Sequence, residues 1–158
     1  ISIGAFLCTL LLICCRMVLS NGDNNMIFTV WQIQYSKADI AAINAGETNA
    51  KREAKTEMNF DFSGNNISGI ADQALTDGLY THVSDIRAET PEHCFEIGNI
   101  GPESAITRFS RMSSLSVGDI IVDVEGNVMV VANYGFVAIG FKPEMSAANL
   151  VYNMEEVA

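Results

Sequence analysis

The sequence predicts an α+β fold: a small mixed domain with an antiparallel sheet, including a C-terminal three-stranded meander, and two to four short helices. Three observations predict it. Residues 114–141 (SLSVGDIIVDVEGNVMVVANYGFVAIGF) alternate apolar positions between turn signals at Gly118-Asp119, Glu125-Gly126-Asn127 and Tyr134-Gly135. Residues 27–35 (IFTVWQIQY) also alternate and are rich in β-branched and aromatic side chains. Between these stretches, helix start and stop signals bracket short runs with apolar residues at helical spacing.

The chain has 158 residues, enough for one domain with a hydrophobic core. It is 49% hydrophobic and 18% charged, and the apolar excess is concentrated near its N-terminus. The domain is expected over residues 26–142. Residues 143–158 form a polar tail carrying Leu150, Val151, Tyr152 and Met154, either a docked helix or a frayed end. Lys and Arg total 9 against 19 Asp and Glu, a net charge of -10. Such a surface repels phosphate backbones, so no nucleic-acid partner is expected, and it favours basic partners.

Residues 1–15 (ISIGAFLCTLLLICC) are uncharged and almost wholly apolar, and Arg16 interrupts the run. A transmembrane helix needs about 20 apolar residues, so the run is short. A signal peptide wants a basic stretch first, which is missing here. The third reading is that Met26 is the true start and residues 1–25 are upstream frame. Met26 directly precedes the first strand, and Gly22-Asp23 can be encoded by a purine-rich ribosome-binding sequence. A membrane segment is expected only if residues 1–20 are genuine. Cys8, Cys14 and Cys15 fall in that segment, leaving Cys94 alone in the domain. One cysteine builds no disulfide framework, which points to the cytoplasm, with a membrane or exported location as the alternative.

Both faces of residues 27–35 begin apolar, which places this strand inside a sheet or beneath a helix. Trp31 is its core or interface anchor. Ser36-Lys37-Ala38-Asp39 resembles a capping box, Ile40 and Ile43 continue the helix, and Gly46 stops it. Residues 47–58 are polar helix formers. They make either a separate solvated helix or a continuation past a kink at Gly46. Lys51, Arg52 and Lys55 are expected to pair with Glu47, Glu53 and Glu57 on a solvated face. Residues 59–69 read as a loop, with Phe60 and Phe62 as the side chains that would pin it to the core.

Ile67, Ile70, Ala71, Ala74 and Leu75 form a helical stripe closed by Asp77-Gly78. Residues 79–86 alternate as a strand. Thr90-Pro91-Glu92 opens a helix that Gly98-Asn99 should end. Residues 105–110 read as a short edge strand with Arg108 and Arg111 facing out. The sheet is expected to carry helices on one face and be partly occluded on the other.

No catalytic, cofactor or metal set emerges. His82, His93 and Cys94, with Asp85 or Glu89, lack the paired ligand spacing of a zinc site, and no third residue completes a nucleophile–base pair. Gly98-Asn99-Ile100-Gly101 lacks the third glycine and preceding strand of a dinucleotide fingerprint. Asp119, Asp123 and Glu125 read as solvated turn acids. The possible interaction surface consists of Trp31, Tyr80, His82 and Tyr134.

The S-L-S-V-G-D-I-I-V run, the Gly-Asn turn and the Y-G-F-V-A-I strand resemble the YodL-like β-hairpin module. Together with the V-W strand after Met26 and G-L-Y-T-H-V-S-D-I at 78–86, they resemble small uncharacterised proteins of tailed bacteriophages. The motifs are structural, so the resemblance implies a phage context and no activity. The expectation is a small acidic phage accessory protein that binds a host or phage protein. The alternatives are an acidic nucleic-acid mimic that inhibits a DNA- or RNA-binding protein, and a membrane-anchored or exported domain.

Overall fold

A computed structural model describes residues 25–140. The apolar N-terminal run, Phe141 and the 143–158 tail lie outside the described residues. Among the described residues, no helix is long and apolar enough to cross a membrane.

The chain runs through β1 (Met26–Ile33), α1 (Lys37–Asn44), α2 (Ala50–Phe60), α3 (Ile67–Thr76), β2 (Tyr80–Ala88) and α4 (Pro91–Ile100). A single 3-10 turn at Glu103–Ala105 leads to β3 (Ile106–Arg108), and the meander β4 (Ile120–Val122), β5 (Val128–Val131) and β6 (Phe136–Ile139) follows. The fold is α+β, as expected. The meander is half of a larger object: all six strands form one antiparallel sheet in the order β3-β2-β1-β4-β5-β6.

β1 is central because both of its faces can be buried. Phe28 and Val30 go to one core, with Val83, Ile86, Cys94, Ile97, Leu115, Ile121 and Val131. Ile33 goes to the other, with Met58, Ile67, Ala71, Ala74, Tyr80, Ile120, Val130 and Ile139. Helices therefore cover parts of both faces, where one was expected. α4 packs on the first through Cys94 and Ile97. α2 and α3 pack on the second, over the β4–β6 half. The strand pattern already required this: Ile120 and Val130 alternate with Ile121 and Val131, and all four are buried.

The helix ends follow local chemistry. Ser36 and Asp39 form the expected capping box, and Thr90 caps α4 by accepting from the His93 amide. α2 is a separate helix with its own cap, the Asn49 side chain accepting from the Arg52 amide. Lys51 pairs at 2.8 Å with Asp39 of α1, not with the glutamates of its own helix. Gly98 does not end α4, which runs on to Ile100. It is the point of closest approach: a Cβ there would lie 2.5 Å from Leu115 Cδ1.

Phe60 and Phe62 do not pin the 59–69 loop. Both are exposed and meet each other edge to face. The loop is held by Asp61, whose carboxylate accepts from the Ser63 hydroxyl and from the Asn66 and Ile67 amides. Those hydrogen bonds, the Ser63 one foremost, hold the Asp61 carboxyl below the usual range.

Candidate interaction site

The second core covers Ile33 of β1 and Tyr80 of β2, and Trp31 packs against its edge; beyond it, toward Ile27 of β1 and Phe109 just past β3, the same face is exposed. A β-bulge builds its centre. Val30 pairs with Ser84 but Trp31 pairs with His82, so Val83 is an extra residue in β2. Val83 and Ser84 are consequently both buried, and His82 turns to the same face as Trp31. The freed Val83 carbonyl accepts from the Phe109 and Ser110 amides just past β3. That fixes Phe109 beside His82.

The result is a row of three rings. His82 stacks on Trp31 at 5.0 Å with an interplanar angle of 23°, and Phe109 lies against His82 at 4.9 Å, tilted by 48°. The Trp31 indole N–H donates to Thr29 Oγ1 at 3.3 Å. His82 Nε2 meets Asp85 Oδ1 at 2.8 Å, and Asp85 Oδ2 takes no hydrogen bond among the described residues. Asp85 sits between Thr29 on β1 and Thr107 on β3. Phe109 is 58% exposed, and Ile27, further along the same face of β1, is 47% exposed.

Of the expected surface residues, Trp31 and His82 come together here. Tyr80 is on the same face but buried beneath the helices. Its hydroxyl donates to the Gly118 carbonyl at 2.6 Å, and burial pushes its ionisation far above the usual range. Tyr134 is apart, at the exposed β5–β6 turn. Asn133 beside it donates to the Asn59 and Asp61 carbonyls, tying that turn to the C-terminal end of α2.

Phe109 and the free oxygen of Asp85 did not stand out in the sequence. Phe109 follows Thr107 in strict alternation, which is the signal that both share a face, but the ring contact depends on the bulge. His82, His93 and Cys94 do not meet. His82 lies on the open face, whereas Cys94 is fully buried in the core of the opposite one. Burial pushes the Cys94 thiol up to about 12. Among the described residues no group of three His, Cys, Asp or Glu side chains could hold a metal ion.

Asp119 corrects the reading of solvated turn acids. It is 1% exposed and lies at the heart of the Ser116-Val117-Gly118-Asp119 turn. Its Oδ2 accepts from Gln32 Nε2 at 2.8 Å and from the Ser116 amide at 2.9 Å. The Gln32 amide also pairs with both backbone groups of Ser113, which satisfies both of its N–H hydrogens and its carbonyl. Gly118 takes φ +89°, and a Cβ there would lie 3.0 Å from Met58 Cε. The motif therefore closes the sheet and offers no ligand site. Asp123 is the turn acid proper, its carboxylate accepting from the Glu125 and Asn127 amides.

Compared with protein-family models, with curated proteins and with solved structures, the chain matches none.

Proposed function

We propose that this chain is a small acidic accessory protein of phage origin that acts by binding a host or phage protein, and that the partner docks a basic segment on the open half of the sheet. The observation that carries the docking reading is the Trp31–His82–Phe109 row, which runs from the edge of the second core out to the exposed Phe109 ring. A rigid sheet that exposes aromatic and aliphatic carbon beside a carboxylate has the character of an interaction surface. The net charge of -10 favours a basic partner and steers its approach. The phage origin rests on the resemblance at residues 78–86 and in the S-V-G-D hairpin.

The distribution of acids favours docking over nucleic-acid mimicry. Glu53 and Glu57 belong to α2, and Glu92 and Glu96 to α4 across the sheet. Asp39, Asp61 and Asp119 are engaged in internal hydrogen bonds. A phosphate-like row on one face is not supported by that arrangement. The membrane-anchored or exported alternative turns on residues outside the described range.

The test places a photo-crosslinking p-benzoylphenylalanine at Phe109, and in a control at Glu96 on the opposite side, in cells that naturally carry the gene. A discrete adduct from position 109 and none from position 96 is expected. No adduct from 109, or equal adducts from both, overturns the docking reading. Non-viral neighbouring genes would overturn the phage origin.

A further inference from the structure

We infer that the open face holds a specific guanidinium site, formed by the Asp85 carboxylate and the exposed Phe109 ring, that takes an arginine side chain of the docked partner. This deepens the docking reading and rests on it. Asp85 Oδ1 is tied to His82, which fixes the orientation of the carboxylate, and Oδ2 remains unoccupied among the described residues. Phe109 contacts the same imidazole that Asp85 binds, so the carboxylate and the free ring surface converge on one side chain. A planar cation that stacks on a ring while donating to a carboxylate fits this pair, and arginine does so better than lysine.

The supporting residues are rigid. His82 is gripped between two rings, Trp31 is locked to Thr29, and Phe109 is held by the Val83 carbonyl. A preformed site loses little side-chain entropy on binding. Arg87, opposite Ile27 on the same face, makes no ion pair among the described residues, and the His82 imidazole engages only one of the two Asp85 oxygens. Arg108 is committed to Glu103.

Trp31 is the sole tryptophan of the chain, so its fluorescence reports on this face alone. The full chain is titrated with N-acetyl-arginine methylamide, with the neutral citrulline counterpart and with the lysine counterpart. The arginine compound should give a saturable change, the lysine compound a weaker one and the citrulline compound none. Asp85→Asn should weaken the arginine response by at least about tenfold, since a hydrogen bond to a charged group is lost. Phe109→Ala, an exposed position where folding is not at risk, should weaken it by roughly two- to fivefold. An equal response to citrulline, or an Asp85→Asn titration that overlays the parent, overturns the inference. A partner that crosslinks at 109 yet ignores Asp85→Asn refutes the guanidinium site and leaves docking intact. Arginine binding with no crosslinked partner does the reverse.

Discussion

Replacing Asp119 by alanine or asparagine should separate the two things its carboxylate does. In Asp119→Ala the Ser116 amide loses its acceptor, and a part-buried orphan donor costs about 1–3 kcal/mol. Gln32 Nε2 loses one of two acceptors but keeps the Ser113 carbonyl, so its share is the smaller, about 0.5–1.5 kcal/mol. Removing a buried negative charge offsets part of this. A net destabilisation of about 1–3 kcal/mol follows. Asp119→Asn keeps an acceptor for both donors and should be within about 1 kcal/mol of the parent at neutral pH.

The pH dependence carries the sharper test. Burial, outweighing the Ser116 and Gln32 hydrogen bonds and the charge of Lys55, raises the Asp119 carboxyl above its ordinary value. The folded state therefore holds this proton more tightly than the unfolded chain does. The contribution is fully present below the unfolded value near 4 and is lost as pH rises through the folded value. The Asn variant does not titrate, so its stability relative to the parent should improve as pH rises through that window. Urea unfolding followed by Trp31 fluorescence at several pH values between about 3 and 7 measures it. If the parent instead gains on the Asn variant as pH rises, the fold is holding the ionised carboxylate and the burial argument fails. If the Ala variant is as stable as the Asn variant, the hydrogen bonds of Asp119 contribute nothing.

Gly98→Val should destabilise by about 1–3 kcal/mol, because its Cβ meets the buried Leu115 and Ile86 side chains; thermal unfolding reads the loss. Tyr80→Phe should cost about 1–3 kcal/mol by leaving the buried Gly118 carbonyl without its donor, and a double-mutant cycle with Asp119→Asn should show whether the two hold the same turn as a unit. Cys94 should resist alkylation by iodoacetamide at pH 8 in the folded chain and react once the chain is unfolded in urea, with peptide mapping to distinguish it from Cys8, Cys14 and Cys15.

The elements were legible where a local rule sets them. Ser36 and Thr90 announce helix starts because their side chains accept from the amides three residues on, while Asp39 accepts back from the Ser36 amide and Pro91 sits where no amide donor is needed. The 114–139 turns are written in Gly118, Gly126 and Gly135, all at positive φ. What was not legible depends on distant partners. Gly98 looked like a stop because nothing nearby says that Leu115 needs its space. Asp119 looked solvated because its neighbours are turn residues, whereas its burial comes from Gln32, 87 positions away. Trp31 could be chosen as a core or interface anchor and His82 as a strand residue, but their stacking follows from one extra residue in β2. Asn49 as a second helix cap was readable in principle and settles the two alternatives left open after Gly46.

The central place of β1 has a consequence for synthesis of the chain. β1 emerges first of all the strands, yet one neighbour, β2, begins at Tyr80 and the other, β4, at Ile120. Until then neither its edges nor its two apolar faces can be fully covered, and the intervening helices α2 and α3 have only part of a floor to rest on. The nascent protein thus carries β1 with one edge unpaired until the meander is made, and completion of the domain is a late, cooperative event governed by long-range pairing.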